Sequence, residues 1–270
     1  MNGAMRNARV RPALSRIALL RERVNEWGVY PFTVPAIASF VSLDVRERVL
    51  FLVGENGSGK STLLEALALA CGFGLEGGTR NLSFSTRVSA QRAVDDPDAP
   101  LKALADVLRL SWTERRQRDG FFLRAESFAN FASQLDRLER ERTFGPAGFL
   151  GPYGGASLHD RSHGESFLTV FLERFSGQGL FLIDEPEAAL SAARQLALLV
   201  RIHDLLAEDA RAQFVIATHS PILLAFPNAQ IVSFDGPVLR EVGYRETDAY
   251  AITRRFLEDP DRMLRGLFAD

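Results

Sequence analysis

An α/β fold with a mainly parallel core sheet is predicted by three features of the 270-residue sequence. Three uninterrupted apolar runs, Val49–Val53, Leu180–Ile183 and Phe214–Ala217, have the length and side-chain content of strands buried on both faces. Each run breaks off at a polar segment: a glycine-rich stretch, then Asp184-Glu185, then Thr218-His219. Between the last two runs, residues 187–208 carry Ala, Leu, Arg and Gln at helical spacing, as a crossover between parallel strands requires.

Hydrophobic residues make up 46% of the chain and charged residues 24%, which provides for a large interior and excludes disordered or collagen-like classes. The length suits one large domain spanning residues 1–270, interrupted by an inserted α/β subdomain at about 75–161. The lone cysteine, Cys71, cannot close an internal disulfide, so a disulfide-stapled scaffold is excluded and a reducing, cytoplasmic setting is expected. No run approaches the roughly 18 apolar residues of a membrane helix, so no transmembrane segment is expected. A net charge of −2 offers no support for nucleic acid, although a local basic face is compatible with it. Residues 1–21 hold five arginines and no acid, but the apolar periodicity of Ile17, Leu19 and Leu20 runs on into Glu22, as in a folded domain rather than a transit peptide.

Along the chain, Val49–Val53 reads as a strand, and Leu63, Leu64, Ala66 and Leu67 place a helix just after it. The insertion opens with small and polar residues and the turn-rich segment 95–100. Within it, residues 107–113 and 120–126 flank a charged turn at 114–119 and predict a hairpin. A helix over about 127–143 follows, lined by Phe128, Phe131, Leu135 and Leu138, and then a glycine-rich loop at 144–157. Near the end, residues 231–234 and 238–242 flank Asp235-Gly236-Pro237 as a second hairpin, and residues 250–257 predict a helix.

The stretch Gly54, Glu55, Asn56, Gly57, Ser58, Gly59, Lys60 and Ser61 satisfies the eight-residue phosphate-loop pattern, between a strand and a helix as that pattern requires. Its glycines allow successive N–H groups to converge on a β-phosphate, and the following helix adds its positive end. Of the 32 basic residues only Lys60 and Lys102 are lysine, so a lysine at the one position that would reach the β- and γ-phosphates is a specific match. The Ser61 hydroxyl is a ligand for Mg²⁺, and Thr62 is placed to bond a phosphate oxygen.

Phosphoryl transfer to water also needs a cation on the phosphate oxygens and a group that orients or deprotonates the nucleophile. Asp184, at the end of its strand, is assigned to the metal; Glu185 is assigned as the general base. His219 ends the next parallel strand and so reaches the same rim. Two roles stay open for it: a hydrogen bond to the γ-phosphate, or a cap on the helix starting near Pro221, for which Ser220 is the better residue. His203 lies on a helical face with nothing to recruit it. His159 and His163 flank Asp160 at helical spacing but lack further ligands of matching spacing, which argues against a metal site there.

The ordered set of Gly54 to Thr62, Ser162-His163-Gly164-Glu165-Ser166, Leu180 to Pro186 and Ala217-Thr218-His219-Ser220 resembles the ATP-binding-cassette ATPases. It is most similar to the stand-alone AAA ATPases with SMC-like and RecF-like heads, over most of residues 30–257. The resemblance implies a P-loop NTPase fold, ATP and Mg²⁺ as ligands, ATP hydrolysis, and an ATP-dependent homodimer in which Ser162 and Gly164 contact the γ-phosphate held by the other subunit. On the residues alone, Ser162 to Glu165 is also a capping box. The chain departs from the family in having His163 for the first signature glycine and Ser191 where the loop after the acidic motif usually ends in aspartate. Where the family carries a glutamine before the insertion's helices, either Glu126 replaces it or Arg124 faces the nucleotide. Tyr30 and Phe32 are candidates for stacking on adenine, against plain core packing. The spacing between Lys60 and Ser162 is too short for long coiled-coil arms. The resemblance also accommodates a nucleotide-binding subunit of a transporter, acting with a separate membrane protein, and a nucleotide-dependent DNA-binding module with little hydrolysis.

Overall fold

The computed structural model describes residues 10–79, 96–113, 119–141, 148, 150–153, 155–160, 162–175, 177–209 and 211–269. The strands are β1 (Leu14–Leu19), β2 (Ser42–Asp44), β3 (Val49–Val53), β4 (Leu108–Trp112), β5 (Gly120–Arg124), β6 (Leu180–Asp184), β7 (Gln213–Ala217), β8 (Gln230–Ser233) and β9 (Arg240–Glu241). The α-helices are α1 (Pro35–Ala38), α2 (Lys60–Cys71), α3 (Ala99–Asp106), α4 (Phe128–Glu141), α5 (His163–Arg174), α6 (Ala192–Glu208), α7 (Pro221–Leu224), α8 (Asp248–Glu258) and α9 (Pro260–Phe268).

The core is a six-stranded sheet in the order β5-β6-β7-β3-β8-β9, parallel from β5 through β8 and closed by the antiparallel β9. Period-two alternation explains why its strands are apolar throughout. Leu50, Leu52, Leu180, Leu182, Val215 and Ala217 point to the face that also buries Leu63, Leu64 and Leu67 of α2. Val49, Phe51, Val53, Phe181, Ile183, Phe214 and Ile216 point to the opposite face, against Phe128, Phe131 and Leu135 of α4, Phe167 and Phe171 of α5, and Leu198 and Ile202 of α6. Phe171, Phe175, Phe181 and Phe214 stack in series on that second face, with ring centroids 4.1 to 6.5 Å apart. A separate antiparallel sheet, β2-β1-β4, joins the first core. Among the described residues no helix is long and apolar enough to cross a membrane.

The expected hairpin between residues 107–113 and 120–126 is corrected. β4 pairs with β1 in the small sheet, whereas β5 pairs in parallel with β6 at the edge of the core sheet. Alternating apolarity identified both strands but carries no information about partners. Phe121 and Phe122, buried on opposite faces, suit β5 to a two-sided sheet, while β4 presents one apolar side only. Residues 114–118 of the anticipated turn lie outside the described ones. The hairpin of β8 and β9 and the helix expected at 250–257, observed as α8, agree with expectation. β1, β2, α1, α3 and α9 have no counterpart among the elements expected from the sequence.

Candidate nucleotide site

Strand register gathers the site. Arg124 pairs with Asp184, Asp184 with Ala217, and Leu52 with Ala217, so the carboxyl ends of β5, β6, β7 and β3 form one rim. This is where ligands bind in open α/β sheets.

Residues 54–59 arch from β3 to α2 with Gly54, Gly57 and Gly59 at φ 146°, 80° and 102°. Side chains are excluded there for two reasons. A Cβ at Gly59 would stand 2.8 Å from Val34 Cγ1, and one at Gly54 would stand 2.9 Å from Ser58 Oγ and 3.0 Å from Phe234 Cβ. Both backbones also lie at positive φ, which side chains disfavour. The buried Lys60 folds back into the arch, its Nζ donating to the carbonyls of Gly54 (2.7 Å) and Glu55 (3.0 Å). Burial lowers its pKa, opposed first by Glu185 and then by Asp184, Asp235 and Glu187.

In the first turn of α2, the Ser61 hydroxyl donates to Asp184 Oδ1 at 3.0 Å. Asp184 is almost fully buried, and burial pushes its carboxyl up to about 7, against the stabilising Ser61 bond and Arg124 charge. Glu185 follows with φ 47° and ψ 52°, a left-handed conformation that non-glycine residues rarely adopt. Its N–H donates to Ala217 O at 2.9 Å, tying the acidic loop to the neighbouring strand end. Glu185 shares a cavity of about 190 Å³ with Asn56, Gly57, Gly59, Lys60, Ser61 and Thr62. His219 Nε2 lies 3.7 Å from Glu185 Oε1. The helix after it, α7, is capped by Ser220, whose Oγ accepts from the N–H groups of Ile222 and Leu223, leaving the His219 ring at the rim.

The residues present fit a magnesium–triphosphate ligand on two observations. Ser61 and Asp184 place hard oxygen donors side by side, the donor class Mg²⁺ takes. Ser58 Oγ and His219 Nε2 are buried atoms without a hydrogen-bond partner among the described residues, and both stand at the rim where phosphate oxygens would be offered.

The two adenine candidates separate. Phe32 is buried and packs edge-on against Trp27, as a core residue does. Tyr30 is half exposed, with its hydroxyl 3.3 Å from Thr62 Oγ1 at the edge of the loop. Glu126 is largely exposed, with its Oε2 2.6 Å from Arg124 Nη2, and Arg124 is the last residue of β5. Ser162 is exposed ahead of α5, and its N–H and hydroxyl both donate to the Glu165 carboxylate, at 3.0 and 2.7 Å. Gly164 is buried: a Cβ there would stand 2.5 Å from Arg194 Nη1 and 2.7 Å from Ala189 O. Neither residue lines the cavity over the glycine-rich loop. Ser191 is the N-cap residue of α6. His159 bonds Ser133 at 3.0 Å.

Three contributors had no role in the sequence reading. Asp235 Oδ1 accepts from the Glu55 N–H at 2.7 Å and anchors the start of the arch, yet in sequence it marks only a turn. Glu187 bonds Thr218 and His219. Glu65, four residues after Ser61 and so on the same face of α2, is buried beside Arg124. Arg124 Nη2 lies 3.1 Å from Glu65 Oε1, and its Nε lies 3.5 Å from Asp184 Oδ2. Burial raises the Glu65 pKa, and Arg124 opposes that. Arg124→Met would leave two buried carboxylates facing each other. Losing one partner of a fully buried pair costs roughly 3–5 kcal/mol; partial exposure of Arg124 brings the expected loss to about 2 kcal/mol, read as the shift in urea unfolding of the metal-free chain.

A family model described as "AAA domain, putative AbiEii toxin, Type IV TA system" matches residues 49–144 and 166–225, more than half of the chain. The match takes in the glycine-rich loop, the acidic loop and His219, and leaves Ser162 and Gly164 between its two segments. A search of curated proteins found no match. Among solved structures, the chain is similar to the SMC head domain from Thermotoga maritima at 14% identity and TM-score 0.39, covering 86% of this chain and 98% of that one. A structure titled "An inward-facing conformation of a putative metal-chelate type ABC transporter" matches at 16% identity and TM-score 0.43, over 78% of this chain and 79% of that one. A bacterial ABC transporter cassette determined as a dimer matches at 16% identity and TM-score 0.38, over 77% and 90%.

Proposed function

From the premise that the chain belongs to the AAA-domain family, with a P-loop ATPase fold, we propose that it binds ATP with Mg²⁺ in the 54–62 loop and hydrolyses it to ADP and phosphate. The observation that carries this reading is that the loop, Ser61 and Glu185 line one cavity, with Asp184 bonded to Ser61 behind it.

On binding, Lys60 exchanges its two carbonyl bonds for the β- and γ-phosphate oxygens, and the loop amides close on the β-phosphate. Ser61 and Asp184 would hold Mg²⁺, which when bound would offset charge on the phosphate oxygens. Glu185 takes a proton from a water as its oxygen bonds to the γ-phosphorus and the bond to the ADP oxygen breaks. The nearby His219 donates a hydrogen bond to the γ-phosphate. Tyr30 is the residue placed to meet the base.

Ser162 and Gly164 complete the site of a second copy, so that ATP promotes a homodimer. Their position away from the chain's own cavity supports that assignment. Residues 75–161 count as an insertion in one ATPase domain spanning 1–270, and a chain whose lone cysteine, Cys71, is buried in the core suits a cytoplasmic setting.

The test is phosphate release from ATP by the purified chain in magnesium buffer, with EDTA as control, repeated with double-stranded DNA. Turnover abolished by EDTA is expected. ATP binding without phosphate release in either condition would defeat the hydrolytic reading and leave a nucleotide-dependent binding module.

A further inference from the structure

We propose that Glu187 is a positioning residue that holds His219 beside Glu185, an inference that rests on the ATPase reading for its kinetic consequence. Glu187 lies in the short 3₁₀ turn Pro186–Ala188 directly after Glu185. Both of its carboxylate oxygens are engaged. Oε2 accepts from the Thr218 hydroxyl at 2.8 Å, and Oε1 accepts from the His219 backbone N–H.

Hydrogen-bond polarity favours a carboxylate. Thr218 is fully buried, and its Oγ1 already accepts from the Ser220 N–H at 3.0 Å, so its proton is directed to Glu187. Glu187 therefore faces two donors. A carboxylate accepts from both; a glutamine has one accepting oxygen, and its NH₂ could meet Thr218 only by turning the buried hydroxyl proton away from its acceptor. Together with the Glu185 N–H bond to Ala217 O, the clamp ties the β6 end to the β7 end at three points along adjacent residues. His219 Nε2 thereby stands 3.7 Å from Glu185 Oε1.

The clamp continues away from the site. Ser220 Oγ donates to Gln195 Oε1, and the buried Gln195 donates through Nε2 to Leu190 O at 2.9 Å. The turn that carries His219 is thus held from the acidic loop on one side and from α6 on the other, and Glu187 is the member next to the reacting groups.

The experiment is a double-mutant cycle on the full-length chain with Glu187→Gln and His219→Ala, measuring kcat, KM and the dissociation constant for ATP. Glu187→Gln is expected to lower kcat about 10²-fold, the scale of a misplaced catalytic group, with ATP affinity unchanged. In the His219→Ala background the same substitution should cost no further activity, because the two act as one unit. Equal losses in both backgrounds, wild-type kcat in Glu187→Gln, or a parallel loss of affinity would overturn the proposal. Thr218→Val, which removes one of the two donors, serves as the milder variant should Glu187→Gln fold poorly; it is expected to lower kcat with affinity retained, and unchanged kcat would count against the clamp. A second readout separates this idea from the ATPase reading. The His219 amide proton, bonded to a carboxylate, should resonate far downfield and exchange slowly in the nucleotide-free chain, and Glu187→Gln should move the signal upfield and speed its exchange. If the wild-type chain shows no turnover, the ATPase reading falls, and the amide signal alone then sustains or refutes the clamp.

Discussion

Glu185→Gln is expected to suppress phosphate release by about 10²–10⁴-fold while ATP still binds, the range a positioned general base contributes. The amide preserves the shape of the side chain and the left-handed backbone at φ 47° but cannot take a proton from water. The Glu185 N–H bond to Ala217 O survives the change, so the acidic loop stays where it is. Removing a negative charge near Lys60 also lowers repulsion toward the triphosphate, so affinity should hold or rise. Single-turnover phosphate release alongside a fluorescent-nucleotide titration tests this. Retained turnover would show that another group activates the water.

Lys60→Ala produces the complementary result: loss of binding. Charge-assisted hydrogen bonds are worth about 1.5–3 kcal/mol each, so losing contact with two phosphates is expected to weaken ATP affinity by at least about 10²-fold. Electrostatics deepens the loss. Glu185, Asp184, Asp235 and Glu187 all act on the Lys60 ammonium, and without it their field confronts the incoming phosphates uncompensated. Folding should be little disturbed, because the two carbonyls Lys60 satisfies belong to the solvent-accessible arch. Lys60→Arg is not expected to rescue, since a planar fork cannot occupy a space shaped for a compact ammonium. Isothermal titration with ATP and magnesium measures both variants, and an unchanged dissociation constant for Lys60→Ala would remove the basis of the assignment.

The local chemistry of the rim is legible in residue order because it is encoded in contiguous segments. A phosphate loop needs its glycines, lysine and serine within one turn between a strand and a helix, and residues 54–61 supply them consecutively. The place of Asp184 and His219 at the rim is legible for a related reason: buried parallel strands end at a common edge, so the residue after an apolar run lies there. Helices such as α4 and α8 were readable from the spacing of their apolar residues.

Partners distant in sequence were not readable, since periodicity specifies which face a residue takes and not what lies opposite. That is why β4 and β5 were expected to pair with each other and instead joined different sheets. For the same reason Asp235 looked like a turn residue until the fold carried it to the Glu55 amide, and Arg124 acquired its place only when β5 aligned with β6 and brought it to Glu65 and Asp184. Sequence by itself determined the parallel α/β class and the identity of the phosphate-loop, acidic and histidine segments, because backbone conformation and chemistry there depend on near neighbours. Only the tertiary structure decided strand order, the choice of Arg124 over Glu126 at the rim, and the grip of Glu187 on His219, because each is a contact between segments whose meeting depends on how the whole sheet closes.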